Sequence, residues 1–192
     1  MSHLFAYLSK MKFIQRWGLK RNSSPENIQE HSYQVAIIAH ALAIIKNRIF
    51  GGKIDPDRVA VLALFHDVSE VLTGDLPTPI KYFNPQINTA YKEIEKVAVE
   101  RLFSMLPEEF KQDYEPIFFA AEDNREAMAI VKEADVLCAY LKCIEEVNAG
   151  NHEFSTAESS LKNKVEQLKL PEVRYFMERY VPSFKLTLDE LN

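Results

Sequence analysis

The sequence is poor in cysteine and glycine and contains no long apolar run. Its 192 residues include two cysteines and five glycines. Cys138 and Cys143 fall on different faces of a helical pattern, which argues against a disulfide or a thiolate metal site. The apolar stretches end well short of the roughly 20 residues that cross a bilayer, and the N-terminus lacks the layout of a secretory signal. We therefore expect a cytoplasmic protein without a membrane span.

Acidic residues are missing from the first 25 positions, although the chain as a whole has a net charge of −5. The negative total argues against general nucleic-acid binding. The basic residues of the acid-free segment are Lys10, Lys12, Arg16, Lys20 and Arg21. This local excess of positive charge can attract a small anion, but a solvated face or a transit peptide would have the same composition.

Helical periodicity dominates the rest of the chain. Nine prolines separate long periodic segments, and the length fits one domain that spans residues 1–192. The predicted class is all-α, a single-domain helical bundle. The predicted helices cover residues 4–14, a segment that starts at Ser23 to Glu26, and residues 55–74, 85–106, 126–148, 155–169 and 172–180, before an extended tail at 184–188.

A histidine lies within an apolar stripe on the second of these helices. The stripe repeats at spacings of three and four and consists of Ile28, His31, Val35, Ile38, Leu42 and Ile45. We therefore expect His31 to be buried. A lone histidine on an apolar face is more often a core residue than a metal ligand, so the ligand interpretation depends on partners elsewhere in the chain.

His66, Asp67 and Asp135 are the candidate partners. Consecutive helical side chains point about 100° apart, so His66 and Asp67 reach one ion only at a helix edge. Asp135 is an isolated charge near the core, where a carboxylate needs a metal or a cation, and Lys132 and Lys142 are the alternative partners. Two imidazoles and two carboxylates suit Mn²⁺, Co²⁺, Fe²⁺ or Zn²⁺. Water bound to such an ion is a nucleophile, which points to hydrolysis.

Glu70 lies one helical turn beyond His66 and faces the same space. A carboxyl group there can exchange a proton with the attacking water or the leaving oxygen, and the alternative is a solvent-facing glutamate. Two prolines stiffen the segment from Gly74 to Pro79. Asp75 and the Thr78 hydroxyl offer hydrogen-bonding groups suited to a sugar, although a simple helix-stopping turn could contain the same residues.

The order and spacing of these motifs resemble a known family. The motifs are Arg16-Trp17, Glu30-His31-Ser32, the run from His66 to Pro79, Ala134-Asp135 and the run from Tyr140 to Cys143. The His-Asp pair is similar to that of the HD-domain metal-dependent phosphohydrolases, a helical superfamily. The complete set resembles the bacterial YfbR-like 5′-deoxynucleotidases over almost the whole chain.

This resemblance implies removal of phosphate from 2′-deoxyribonucleoside 5′-monophosphates by a homodimer with a mononuclear metal site. Co²⁺ or Mn²⁺ is the expected ion, with Zn²⁺, Fe²⁺, Cu²⁺ and Mg²⁺ left open. The implied ligands are His31, His66, Asp67 and Asp135. The remaining histidines are not placed as further ligands, which favours a single metal; they are His3, His40 and His152.

The resemblance also assigns the substrate contacts. Arg16 would hold the phosphate, which agrees with its fork of donors and its acid-free surroundings. Trp17 would pack against the sugar at the position that a 2′-hydroxyl would otherwise occupy. The alternative is that Trp17 is an aromatic residue of the core. The other implied contacts are Asp75, Leu76, Pro77 and Thr78 to the nucleoside, and Asp67 and Asp135 beside the metal.

The mechanistic hypothesis is one in-line displacement at phosphorus. A metal-bound water attacks, Arg16 and the metal neutralise charge on the phosphoryl oxygens, and Glu70 assists proton transfer to the departing 5′ oxygen. Asp67 completes the set of catalytic residues. Three other functions stay open here: another HD-domain nucleotide phosphohydrolase or phosphodiesterase, a non-catalytic metal-binding HD regulatory module, and a purely helical interaction protein.

Overall fold

The computed structural model describes residues 1–81, 83–120 and 124–191, which form helices and turns without a β-strand. The helices are α1 (Leu4–Leu8), α2 (Ile28–Ile49), α3 (Pro56–Leu64), α4 (Glu70–Thr73), α5 (Thr78–Lys81), α6 (Pro85–Phe103), α7 (Glu108–Phe118), α8 (Arg125–Asn148), α9 (Ser155–Glu166) and α10 (Pro171–Arg179). Short 3₁₀ turns cover Met11–Phe13, His152–Phe154, Val181–Lys185 and Leu188–Glu190. The all-α prediction is confirmed.

Helices α2, α3 and α8 pack against one another and form the main core, with α9 packed on α8 and α10 on α2. The predicted stripe of α2 is buried throughout. The inward face predicted for α8 is buried as well; its residues are Ile130, Ala134, Leu137, Leu141 and Ile144. A second apolar cluster connects α1 with α6 and α7 through Leu4, Leu102 and Phe118. No helix among the described residues is long and apolar enough to cross a membrane.

The predicted continuous helix over residues 55–74 is wrong, because the chain leaves the helix at the His-Asp pair. α3 ends at Leu64, and tight turns over residues 65–69 precede α4. Backbone N–H groups in these turns reach back three residues, as from Glu70 to the Asp67 carbonyl (3.0 Å). The irregular winding releases His66 and Asp67 from the angular spacing of a regular helix, so both side chains can face one crevice.

α2 begins later than the serine-rich start at Ser23 predicts. Its first residue is Ile28, and Asn27 caps it by accepting a hydrogen bond from the Glu30 N–H (3.0 Å). The Glu30 carboxylate accepts one from the Asn27 N–H in return (3.1 Å). The backbone N–H groups of the two serines instead donate to Glu146. The predicted helix start is therefore wrong because these groups have a tertiary partner.

Other boundaries also differ from the predicted ones. The helix predicted over 4–14 is divided into α1 and the 3₁₀ turn Met11–Phe13. The predicted capping box of Ser155 and Glu158 is absent from the described residues, because a 3₁₀ turn leads directly into α9 and places Phe154 at the cap. α6 and α9 end three residues earlier than predicted, at Phe103 and Glu166.

α7 is a helix that was not predicted, and the tail is not extended as predicted. α7 contains Pro116, which is typical of a helix break, although Phe110, Tyr114 and Phe118 recur at the four-residue spacing of a helix face, a signal that predicts α7. The tail predicted to be extended at 184–188 contains 3₁₀ turns, one of which is closed by the Glu190 carboxylate accepting from the Thr187 N–H (2.8 Å). Cys138 and Cys143 are free, buried thiols.

A buried ion pair connects the end of α8 to the loop before α2. The Lys142 ammonium donates to Glu146 (2.5 Å) and to the Ser24 carbonyl, and Glu146 accepts from the N–H groups of Ser23 (2.8 Å) and Ser24 (3.0 Å). Burial alone would raise the pKa of Glu146, but Lys142, Asn151 and the backbone donors lower it to about 2. The carboxylate therefore holds the loop through charge and hydrogen bonds.

We predict that Glu146→Gln destabilises the fold by about 3 kcal/mol at neutral pH, measured by urea unfolding. Because the pKa of the Glu146 carboxyl is lower in the folded protein, its ionisation stabilises the fold at pH values above the ordinary pKa of 4.5. This contribution disappears as the pH falls to about 2. The acid-induced loss of stability should therefore be shallower in the variant. Glu166→Gln is the matched control, because its pair with Lys162 is exposed and 4.0 Å long. Equal losses in both variants would contradict this role of Glu146.

Candidate metal centre

Two histidines and one carboxylate converge where α2 meets the turn after α3. One ring nitrogen each of His31 and His66 and a carboxylate oxygen of Asp67 lie within 4.8 Å of one another. Asp67 Oδ2 is 3.1 Å from His66 Nε2 and 3.7 Å from His31 Nε2. The His31 side chain is fully buried, whereas that of Asp67 is 20% exposed. The cluster is therefore largely buried, with Asp67 on its more exposed side.

His66 is oriented by a hydrogen bond from its Nδ1 to the Ala63 carbonyl (2.7 Å). This contact directs Nε2 towards Asp67, yet Nε2 is buried and forms no hydrogen bond within the described residues. In a neutral imidazole with Nδ1 protonated, the lone pair on Nε2 is the one that binds a cation. The unpartnered nitrogen and the mixed nitrogen and oxygen donors fit a divalent ion of the Mn²⁺, Co²⁺, Fe²⁺ or Zn²⁺ type.

Asp135, on α8, lies at the rim of this cluster. Its Oδ1 is 3.0 Å from His31 Nε2, and its side chain is 41% exposed. Among the described residues, the set of donor atoms within 4.8 Å of one another does not include Asp135. The lysine alternatives do not fit, because Lys142 pairs with Glu146 and Lys132 is exposed. The structure thus places Asp135 next to the cluster, in hydrogen-bond contact with His31.

Opposite charges set the protonation of the cluster. Burial alone would lower the pKa of His66, but the Asp67 and Asp135 carboxylates raise it to about 9. Burial would raise the pKa of Asp67, and His66, His31 and Arg16 hold it well below its ordinary value. The pKa of Asp135 is lowered against the effect of burial by its hydrogen bond with His31. A cation that binds here therefore replaces a proton.

Arg16 reaches the cluster from the segment before α2. This segment runs antiparallel to the start of α2, with hydrogen bonds from the Arg16 N–H to the Glu26 carbonyl (2.9 Å) and from the Ile28 N–H to the Ile14 carbonyl (3.0 Å). In the side chain, Nε donates to Glu26 Oε2 (3.1 Å) and Nη1 lies 3.5 Å from Asp67 Oδ2. The structure brings the predicted anion-binding arginine into contact with a candidate metal ligand.

Glu26 is a site residue that the sequence analysis missed. Its side chain is 11% exposed, and its Oε2 accepts hydrogen bonds from Arg16 Nε and Trp17 Nε1, both at 3.1 Å. It is the first acid after the acid-free segment, a signal that the sequence analysis attributes to a helix start. Its position as the first acid after the basic segment is the sequence signal that indicates a charge partner for Arg16.

Trp17 lies beside Arg16 in a left-handed backbone conformation with φ of 59°. In the part of the chain that the structure describes, no other non-glycine residue has a positive φ, and for a bulky residue this conformation costs about 1–3 kcal/mol. The ring packs on Phe154 with centroids 5.3 Å apart and is half-buried. The alternative of a plain core aromatic does not fit a half-buried ring in a strained turn.

Glu70 is the first residue of α4 and is only 6% exposed, so the alternative of a solvent-facing glutamate is wrong. Its Oε2 has no hydrogen-bond partner among the described residues. Burial, together with the Asp67 and Asp75 carboxylates, raises the pKa of Glu70 to about 9. The side chain is therefore a neutral acid at neutral pH and can donate a proton.

The loop after α4 is connected to the site through its first polar residue. Gly74 ends the helix with φ of 73°, and Asp75 follows it. Burial raises the pKa of Asp75, and the opposing effect of the Arg16 guanidinium shows that the two side chains lie within electrostatic range. Leu76 and Pro77 are half-buried, whereas Thr78 is exposed at the start of α5. The predicted nucleoside contacts of these three residues stay predictions.

The fold is that of the HD-domain phosphohydrolases. An HD-domain phosphohydrolase from Listeria innocua has a TM-score of 0.81 at 24% identity, covering 94% of this chain and 87% of that one. A cyanophage S-2L HD phosphohydrolase, solved with dA and one catalytic Zn²⁺ ion, has a TM-score of 0.65 at 20% identity. The match covers 93% of this chain and 96% of that one. These likenesses define the class of fold.

Sequence similarity narrows this class to one family. The family described as 5′-deoxynucleotidase YfbR-like matches residues 3–184. A 5′-deoxynucleotidase of Vibrio atlanticus is 56% identical over 191 residues, covering 100% of this chain and 98% of that protein. One from Shewanella oneidensis is 56% identical over 192 residues with the same coverage. The chain belongs to the YfbR-like 5′-deoxynucleotidase family and is a phosphoric monoester hydrolase, which confirms the enzyme prediction over the non-catalytic alternatives.

We predict that binding of Mn²⁺ to the protein releases a proton near neutral pH. Because the pKa of His66 is about 9, the cation must displace its proton, so the apparent affinity should rise as the pH approaches that value. Isothermal titration calorimetry in buffers of different ionisation enthalpy measures the release. His40→Ala, which removes a partly exposed histidine 3.3 Å from Asp57, is the control and should behave as wild type. Undiminished proton release in His66→Ala would contradict the prediction.

Proposed function

We propose that the protein hydrolyses 2′-deoxyribonucleoside 5′-monophosphates to deoxynucleoside and phosphate at a mononuclear metal site. The observation that carries this proposal is the convergence of two imidazoles and a carboxylate within 4.8 Å, next to a largely buried arginine. The activity named for the family and for its relatives supports the substrate class. The dA bound to the cyanophage neighbour supports a pocket that accepts a deoxynucleoside.

His31, His66 and Asp67 would hold the metal, and Asp135 at the rim would be a further ligand. Co²⁺ or Mn²⁺ is our proposed ion, and the Zn²⁺ of the cyanophage neighbour keeps Zn²⁺ among the alternatives. When bound, such an ion lowers the pKa of a coordinated water and offsets negative charge on a phosphate. The unpartnered Nε2 of His66 and the low pKa of Asp67 support this assignment.

Arg16 holds the phosphate. The guanidinium carries five N–H donors, and its contacts with Glu26 and Asp67 use Nε and Nη1, so donors remain for the phosphate oxygens. Because Nη1 lies 3.5 Å from Asp67, a phosphate bound to Arg16 also lies against the metal ligands. The arginine thereby orients the phosphorus and neutralises charge that accumulates on its oxygens during displacement.

Glu70 donates the proton that the departing 5′ oxygen requires. Its carboxyl group is buried and neutral, with a pKa of about 9 that depends partly on the neighbouring Asp67 and Asp75 carboxylates. A cation held by Asp67 would neutralise one of these charges and would lower the pKa of Glu70. A general acid is most effective when its pKa lies near the working pH.

Trp17 and the loop from Asp75 to Thr78 select the deoxyribose. The strained turn fixes the indole next to Arg16, so the sugar of a bound nucleotide lies against the ring. A 2′-hydroxyl would be placed against this apolar surface without a hydrogen-bond partner. Asp75 lies within electrostatic range of Arg16 and can accept a hydrogen bond from the sugar.

Assembly and location complete the proposal. We assign a homodimer on the basis of the family resemblance. A reducing cytoplasm agrees with two free cysteine thiols, both of which are buried in the structure.

We predict that the protein releases phosphate from dAMP and other deoxynucleoside monophosphates with added Co²⁺ or Mn²⁺, and only weakly from AMP. The deoxy preference arises because the 2′-hydroxyl loses its hydrogen bonds to water against Trp17, which costs about tenfold or more in kcat/KM. Phosphate release is measured for a panel of deoxynucleotides and ribonucleotides. A chelator should abolish release, and the added metal should restore it. Equal rates for dAMP and AMP would overturn the selectivity, and rates insensitive to a chelator would overturn the metal site.

We predict that Glu70→Gln lowers kcat by about 10²–10⁴-fold while metal binding is retained. The amide keeps the shape of the buried side chain but has no acidic proton to transfer. Turnover of dAMP is measured by phosphate release, and metal content by elemental analysis after dialysis. Glu93→Gln, on the exposed face of α6, is the matched control and should have wild-type kcat. Substantial turnover in Glu70→Gln with normal metal content would exclude Glu70 as the acid.

A further inference from the structure

We infer that Glu26 is the positioning residue that fixes Arg16 and Trp17 relative to each other, so that selectivity for the deoxyribose depends on Glu26. This inference rests on the proposed roles of Arg16 at the phosphate and Trp17 at the sugar. Glu26 itself touches neither group of the substrate. Its effect is exerted through the two side chains that it holds.

The main observation is that one carboxylate oxygen serves both neighbours. Glu26 Oε2 accepts from Arg16 Nε and from Trp17 Nε1 at 3.1 Å each. The side chain is 11% exposed, so water screens these charge-assisted bonds poorly. The other oxygen, Oε1, is 4.0 Å from His31 Nδ1, which is too far for a hydrogen bond. Glu26 therefore forms hydrogen bonds with Arg16 and Trp17 and none with the candidate ligand His31.

Trp17 needs such a restraint because its backbone is strained. Its φ of 59° is unfavourable for a bulky residue, and the conformation persists only if surrounding contacts impose it. The turn is held by hydrogen bonds to the Trp17 carbonyl from the Lys20 N–H (2.8 Å) and Asn22 Nδ2 (3.5 Å), and by the Asp75 carboxylate, which accepts from the Trp17 N–H. The ring packs on Phe154, and its Nε1 donates to Glu26. Among the described contacts of the indole ring, the bond to Glu26 is the one whose acceptor oxygen also binds the Arg16 side chain.

The backbone of Glu26 is held independently of its side chain. Its carbonyl accepts from the Arg16 N–H, and the preceding residues Ser23 and Ser24 are bound to the buried Glu146 carboxylate. Removal of the Glu26 carboxylate should therefore leave the loop in place while releasing the indole and the guanidinium. This makes the side chain testable without loss of the fold.

The first measurement uses the fact that Trp17 is the only tryptophan in the chain. Its indole N–H gives a single NMR resonance, and its fluorescence reports one site. In Glu26→Ala, the indole resonance should move and acrylamide quenching should increase in protein without metal or substrate. Glu26→Gln keeps a carbonyl acceptor at the same place and should restore most of the wild-type signal. Unchanged indole signals in Glu26→Ala would overturn the inference.

The second measurement is the ratio of kcat/KM for dAMP to that for AMP. In Glu26→Ala the ratio should fall about tenfold, mainly through a higher KM for dAMP. The reason is that Arg16 and Trp17 each lose a charge-assisted hydrogen bond to the Glu26 carboxylate. Glu26→Gln should retain most of the selectivity, because the indole still has an acceptor. A wild-type ratio in Glu26→Ala would overturn the inference, even if the indole signals change.

Glu30→Ala is the control for a general loosening of this region. Glu30 caps the start of α2 through Asn27 and contacts neither Arg16 nor Trp17 among the described residues. It should lower the melting temperature but leave the indole signals and the selectivity unchanged. If it reproduces the effects of Glu26→Ala, the positioning role is overturned. Failure of the wild type to hydrolyse any deoxynucleotide would refute the proposed function instead, and the indole measurement would then decide alone whether Glu26 holds Trp17.

Discussion

Closely spaced carboxylates that are at least partly buried require nearby positive charge, and this constraint organises the site. Arg16 interacts electrostatically with several acids at once, of which the strongest partners are Asp67, Glu26 and Asp135. One guanidinium cannot neutralise three carboxylates. The negative charge that remains favours the protonated form of His66 and raises its pKa to about 9. A divalent cation supplies the charge that this proton supplies only in part. The proposed affinity for metal and the proposed anion-binding role of Arg16 would thus be two consequences of one charge imbalance.

The loop that leads to Glu26 is held by a more deeply buried carboxylate. Glu146, on α8, is almost fully buried and binds the backbone N–H groups of the loop that leads to Glu26. Glu26 then holds the side chains of Arg16 and Trp17. Glu146 on the core helix α8 therefore holds the loop, and Glu26 in the loop holds the two proposed substrate contacts. This series explains how a loop that contains a strained tryptophan can keep one conformation.

Periodicity predicted the buried stripe with His31 and the inward face of α8, because burial on a helix repeats every three or four residues. It also predicted a continuous helix through His66, which is wrong, since apolar spacing does not report where a helix ends. The roles of Glu146 and Glu26 were not predictable in this way. The bond from Ser23 to Glu146 joins residues 123 positions apart, and a tertiary hydrogen bond leaves no periodic trace in a sequence.

The proposed acid and the proposed metal are physically coupled through Asp67. This carboxylate is a candidate ligand, and it also contributes to the raised pKa of Glu70. Without a cation, its charge keeps Glu70 protonated but makes proton donation unfavourable. A cation held by Asp67 would neutralise that charge and make Glu70 a stronger acid, while burial would still oppose its complete ionisation. In the proposed mechanism, the same ligand would thus set both the affinity of the site for metal and the readiness of Glu70 to donate a proton.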